Sequence, residues 1–232
     1  DLPIKGYAAH QSCSWNQSVA CLFAGGEHVT VDIQTGEIRN RVSISEDITT
    51  CRHTDSGYRT KTQQTLKKAR SPITKQANCL VGNYHYFRAH DEFLIGRVNI
   101  QNGSVEYLQV PVQVVRRNDA REEVLWTQAL QNDMKNADGF VATQDKRNAG
   151  SGWGHVSAAS PIVVGDNIYL PTMIGIVYVL KWNAETLDEH ALVSISDLGP
   201  AGATWSLSSL SFADGRLYAR TLKELICIGA SE

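Results

Sequence analysis

The sequence has no long run of charge of one sign and no long apolar run. Lys and Arg number 22 against 24 for Asp and Glu, a formal charge of -2. That near-balance removes the electrostatic basis for nucleic-acid binding, which relies on clustered cations to displace counterions from phosphate. The longest apolar stretches, such as 174–180, fall far short of the roughly 20 residues that cross a bilayer as a helix, so a soluble protein without a membrane span is expected. Position 1 is Asp1, not Met, and no charged-then-apolar leader opens the chain, which reads as a processed terminus or a fragment boundary.

Cysteine is sparse and irregularly spaced. The five thiols, at positions 13, 21, 51, 79 and 227, form no CxxC, no CxxCH and no adjacent pair. The usual spacings of zinc, thioredoxin-like and c-type haem sites are therefore missing, and no metal site is expected. An odd count leaves at least one thiol unpaired within the chain. Cys21, Cys79 and Cys227 sit in apolar runs and read as buried structural residues. Cys13 and Cys51 lie in polar, loop-like surroundings and are the better disulfide candidates. P-loop, dinucleotide-binding glycine, GxSxG and HExxH patterns are also missing, so no motif-readable enzyme class is indicated and catalytic residues stay unknown.

Short runs of β-branched and aromatic residues do recur, punctuated by Gly, Asn and Asp every eight to twelve positions. In 161–197, Ile162-Val163-Val164, the turn Gly165-Asp166-Asn167 and Ile168-Tyr169-Leu170 are followed by a strand over 176–182, a turn over 183–186 and a strand over 192–195. The order returns in 210–229, in 79–105 and in 19–38. Val31-Asp32-Ile33-Gln34-Thr35-Gly36-Glu37-Ile38 matches Val98-Asn99-Ile100-Gln101-Asn102-Gly103-Ser104-Val105 in kind, residue for residue. A four-stranded sheet of this size cannot cover its own apolar faces, so such units pack face to face around an axis.

The pattern thus predicts an all-β β-propeller of four-stranded antiparallel blades, about four of them, in a single domain, complete or partial, over 1–232. The blade-like units fall near 18–45, 77–115, 158–197 and 205–230. A β-sandwich is the alternative, but shared turn chemistry as well as strand pattern favours the propeller.

Two segments break the rhythm. The stretch 54–76 is polar and, with Arg52 just before it, carries seven Lys or Arg residues; it reads as a solvated interblade loop. Within 116–156, the part 122–134 fits either a short helix or an outer strand through Val124-Leu125-Trp126.

Asp166-Asn167-Ile168-Tyr169, Val177-Tyr178-Val179-Leu180, Asp214-Gly215-Arg216-Leu217-Tyr218 and Asp32-Ile33-Gln34-Thr35-Gly36 together resemble the quinoprotein-like, or PQQ-like, β-propeller repeat. That family also includes non-enzymatic outer-membrane assembly lipoproteins. The resemblance implies a propeller fold and a periplasmic or secreted location. Members that bind pyrroloquinoline quinone (PQQ) use eight blades, an axial Trp, a calcium ion and often two adjacent cysteines. This chain has room for about four blades, no adjacent Cys pair, and no Trp after the Gly36 or Gly103 turns. No cofactor is therefore expected, with PQQ and calcium as the alternative.

The most unusual stretch is 145–155, which packs three glycines, an indole, an imidazole and three charges into one loop leading into a strand. Trp153 offers a stacking face, and Asp145, Lys146, Arg147 and His155 offer polar contacts to a small anionic or sugar-like ligand near a propeller channel. The competing structural reading is a tight glycine loop with Trp153 as a plug. Cys51, His53 and Asp55 suggest a Cys-His arrangement but lack a visible orienting group. His85 and His90, on or beside the 84–87 strand, could serve as axial metal ligands, but without HxH or HxxxH spacing and a carboxylate in register they read as hydrogen-bonded structural residues.

The expected function is a non-catalytic binding or scaffolding module whose channel takes a protein partner or a small polar ligand, with self-association if the propeller is incomplete. The alternative is a fragment of a PQQ-dependent oxidoreductase.

Overall fold

The computed structural model describes residues 13–66, 78–88, 93–116, 122–126, 135, 139, 141, 159–199, 204 and 206–229. Among them there is no α-helix; apart from one 3-10 turn, Glu189–Ala191, the regular elements are β-strands. The chain divides into two compact units: residues 1–109 with 182–191, and residues 110–181 with 192–232.

In the first unit, β1 (Ser14–Trp15), β2 (Val19–Ala24), β3 (Glu27–Asp32) and β4 (Ile38–Ser43) form one antiparallel meander. A second meander comprises β7 (Asn78–Val81), β8 (Tyr84–Arg88), β9 (Leu94–Asn99) and β10 (Val105–Gln109). The matched phrases in the sequence are the same physical turn in both. Asp32 Oδ1 accepts the backbone N–H groups of Gln34 and Thr35, and Asn99 Oδ1 those of Gln101 and Asn102. The N–H of Gly36 then donates to Asp32 O and that of Gly103 to Asn99 O, each glycine at positive φ, 74° and 76°. A side-chain acceptor opens the turn and a residue without Cβ closes it, which is why Asx and Gly hold these two places.

The stretch read as a solvated loop is partly a hairpin instead. β5 (Ile48–Thr54) and β6 (Gly57–Gln64) pair antiparallel, and β5 adds to the second meander by parallel pairing with β10, Glu106 opposite Thr49 through Leu108 opposite Cys51. The resulting sheet has six strands in the order β6-β5-β10-β9-β8-β7. Residues 59–63 of β6 are exposed, so a polar edge strand of Arg59, Lys61 and Gln63 shields this sheet from pairing with other chains.

The two sheets of this unit pack through Phe23, Ile44, Ile48, Phe87, Leu94, Val98, Val105 and Tyr107. Gly96 lies between its strand neighbours Phe87 and Tyr107. A Cβ there would sit 2.6 Å from Phe87 Cε2 and 2.7 Å from Tyr107 Cε1, both rings being fully buried. Gly96→Ala is therefore expected to cost about 2 kcal/mol by overpacking, read as a lower urea midpoint at unchanged slope.

In the second unit, β11 (Gln113–Arg116) pairs with β12 (Glu122–Leu125), which settles 122–125 as strand. A four-stranded meander follows in β13 (Ile162–Val164), β14 (Asn167–Pro171), β15 (Ile176–Lys181) and β16 (Leu192–Asp197), then a three-stranded one in β17 (Ser211–Ala213), β18 (Arg216–Arg220) and β19 (Leu225–Ile228). Val177, Val179, Leu210 and Ala219 form their shared core.

Candidate functional site

The loop candidates Asp145, Lys146, Arg147, Trp153 and His155 lie outside the described residues, as does His90. The Cys-His arrangement is not assembled for nucleophilic chemistry. Cys51 lies on β5, buried, and its thiol donates to Glu189 Oε2 at 3.5 Å. Burial raises its pKa, the reverse of what an attacking thiolate needs. His53 packs edge-on against the Tyr58 ring. Cys13 and Cys51 are both free thiols, and Cys227, expected to be buried, is exposed; the outer position of β19 puts its apolar neighbours Leu225 and Ile228 in solvent as well.

Two features stand out in the first unit. The first is a cleft of about 540 Å³ lined by Asn16, Arg39, Asn40, Asn83, Gln101 and Thr30, among others. Local turn chemistry sets its walls. Asn16 Oδ1 accepts the N–H groups of Ser18 and Val19, Gln101 Nε2 donates to Asn83 Oδ1 at 3.1 Å, and Arg39 is held in an ion pair by the turn residue Asp32. The Thr35 N–H, then the Arg39 guanidinium and the Gln34 N–H, lower the Asp32 carboxyl to about 2, which keeps it ionised at neutral pH. Among the described residues that line it there is no carboxylate, imidazole, thiol or amine.

The second feature is a fully enclosed polar cluster. On β2 and β3, Cys21 lies opposite Thr30 and Phe23 opposite His28, which places Cys21 and His28 on one face of the first meander. His85 of β8 meets them from the second sheet, with His28 Nε2 and His85 Nδ1 2.9 Å apart. His85 Nε2 donates to Asn78 Oδ1 at 3.0 Å, and the Ser14 hydroxyl donates to the same oxygen. This assigns His85 the Nε2–H tautomer and makes His28 the donor in the imidazole pair. Phe23 stacks on His85 with ring centroids 5.1 Å apart. Burial lowers the pKa of His28 to about 4 and moves His85 the same way, with the neighbouring His28 as a second cause. His85 was legible as a structural histidine. Cys21 was legible as a buried thiol; His28, seven residues further on across the Gly25-Gly26 hairpin turn, was not singled out.

The repeated antiparallel meanders, with the same Asx-to-Gly turn in two of them, define the class: an all-β propeller fold of about four blades. No family model matches the chain, and no curated protein sequence does. Among solved structures it is similar to the computationally designed Ika4 protein, at 9% identity and a TM-score of 0.45, covering 100% of this chain and 99% of that one. It is also similar to BamB from Moraxella catarrhalis (12%, TM-score 0.38, 98% and 60%). A third is the β-propeller domain of Cps50 (Swd1) from Myceliophteria thermophila (8%, TM-score 0.34, 91% and 62%). The chain spans less than two thirds of the length of the latter two.

Proposed function

We propose that this chain is a non-catalytic, propeller-type binding module of the PQQ-like kind, acting outside the cytoplasm, and that its cleft near Asn83 and Gln101 takes an uncharged polar segment of a partner. The observation that carries this reading is the lining itself. Carboxamides and hydroxyls supply both donors and acceptors, which suits amide or sugar hydroxyl groups, while no lining group titrates near neutrality to act as acid, base or nucleophile. A site rich in hydrogen-bonding groups rejects a ligand that leaves them unpaired, so such a cleft selects by pattern more than by area.

The test is a titration of isotope-labelled protein with short uncharged polar peptides and, separately, neutral oligosaccharides. The Asn83 and Gln101 side-chain amide resonances should shift in a saturable way with one of the two panels. Asn83→Leu with Gln101→Leu should weaken that binding at least about tenfold, the loss of roughly 1.4 kcal/mol. Shifts confined to other surfaces would move the site elsewhere. Dye-linked turnover on addition of pyrroloquinoline quinone and calcium would overturn the non-catalytic reading in favour of an oxidoreductase fragment.

A further inference from the structure

We propose that Cys21, His28 and His85 form a site for one borderline-soft divalent metal ion of the zinc type, buried between the first two blades. Nothing in the partner-binding reading requires it. The sulfur and one nitrogen of each imidazole lie within 4.8 Å of one another, and all three residues are buried. Two nitrogens and one sulfur are a donor set that such ions favour over the oxygen cages of calcium and magnesium.

The surroundings are those of a ligand set and not merely of three polar side chains. Asn78 Oδ1 accepts from His85 Nε2, which leaves the Nδ1 lone pair facing the cluster; an outer oxygen on the far nitrogen is how ligating histidines are oriented. Ser14 fixes that oxygen in turn. The Thr30 hydroxyl lies beside the Cys21 thiol without a well-formed hydrogen bond of its own. That leaves a buried oxygen for the fourth position, directly or through water. Thr30 also lines the polar cleft, so one side chain borders both the cleft and the cluster.

The metal takes the thiolate of Cys21, and one proton leaves to solvent. The His28 proton moves from Nε2 to Nδ1, with no net change. The 2.9 Å separation between His28 Nε2 and His85 Nδ1 must widen to about 3.3 Å, the edge of a tetrahedron with metal–nitrogen bonds near 2.0 Å. Each imidazole offers one nitrogen lone pair to the ion once the His28 proton has moved, whereas the Cys21 thiol proton has to be displaced by the ion itself.

The test uses the full chain without added histidine tags, stripped of metal and titrated with zinc by calorimetry and with cobalt by absorbance. One equivalent should bind, releasing one proton, with a thiolate-to-cobalt charge-transfer band and raised thermal stability. Cys21→Ser should abolish the band and weaken zinc binding at least about 100-fold, and Asn78→Ala, which removes only the outer partner, about 10- to 100-fold. Cys13→Ser with Cys227→Ser, which removes the exposed thiols, should change neither. No saturable binding to the wild-type chain, a cobalt spectrum without the thiolate band, or binding lost with the exposed thiols would each overturn the proposal. Because the wild-type spectrum decides on its own, misfolding of Cys21→Ser does not rescue it.

Discussion

The metal-free chain should lose about 3 kcal/mol of stability through His28 alone as the pH falls from the ordinary imidazole value of 6.5 to about 4. In the folded chain His28 stays neutral over this interval, because burial removes the water that would solvate its charge. The unfolded chain takes up the proton. With more protons on the unfolded side, stability is complete above 6.5 and declines as the pH drops toward the folded value. His85 adds to the loss in the same sense.

Asp197 works against it. Burial raises its carboxyl to about 6 from 3.8, so the folded chain keeps a proton that the unfolded chain releases, and this contribution fades as pH rises through the same interval. The informative measurement is therefore a comparison: urea unfolding across the interval for the wild type and for His28→Gln. The variant's dependence should be shallower by one proton, roughly 1.4 kcal/mol per pH unit. Identical slopes would mean that the pocket hydrates His28 well enough to charge it.

Arg97→Met is expected to cost about 3 kcal/mol, the lower end for removing one member of a buried ion pair. Arg97 has no exposed side-chain surface, whereas Glu106, its partner at 2.7 Å, keeps 17% and can rehydrate in part. The guanidinium also donates to Ala184 O, Glu185 O and the Tyr86 hydroxyl and lies 4.1 Å over the Tyr84 ring. Glu106 Oε1 accepts the Leu187 N–H, and the Tyr86 hydroxyl donates to Trp182 O. This one cluster thus fastens the 182–191 connection to the face of the second sheet that is turned away from the first meander.

Arg97→Lys should recover little, since an ammonium cannot reach two successive carbonyls and a carboxylate in one plane. Chemical denaturation of Arg97→Met, of Glu106→Gln and of the double variant should show a double cost below the sum. Strict additivity would show that the pair is not coupled.

What could be read from the sequence divides along the range of the interactions. The Asp32–Gly36 and Asn99–Gly103 turns were visible because their bonds are made within five residues and demand particular side chains. The strands around Gly165-Asp166-Asn167 were visible because β-branched residues alternate across a turn. The β5–β6 hairpin was hidden: Arg59, Lys61, Thr62 and Gln63 carry no apolar alternation, and β5 is placed by a strand more than fifty residues later. The candidate clefts and clusters were hidden for a similar reason. Cys21, His28 and His85 come from three strands of two sheets, and no spacing rule joins them; Asn16, Asn83 and Gln101 are ordinary turn residues, and Asn40 an ordinary strand residue, until two blades bring them together.

The parallel pairing of β5 with β10 also sets an order of events during synthesis. Thr49 waits for Glu106, 57 positions further along, and at about 5–20 residues per second a ribosome takes roughly 3–11 seconds to supply it. During that interval the inner edge of β5 has no partner strand, and Ile48 and Cys51, buried in the finished fold, have yet to be covered. The hairpin's cationic outer strand guards only its other edge, which leaves the inner edge of β5 as the one open to a neighbouring nascent chain until β10 arrives.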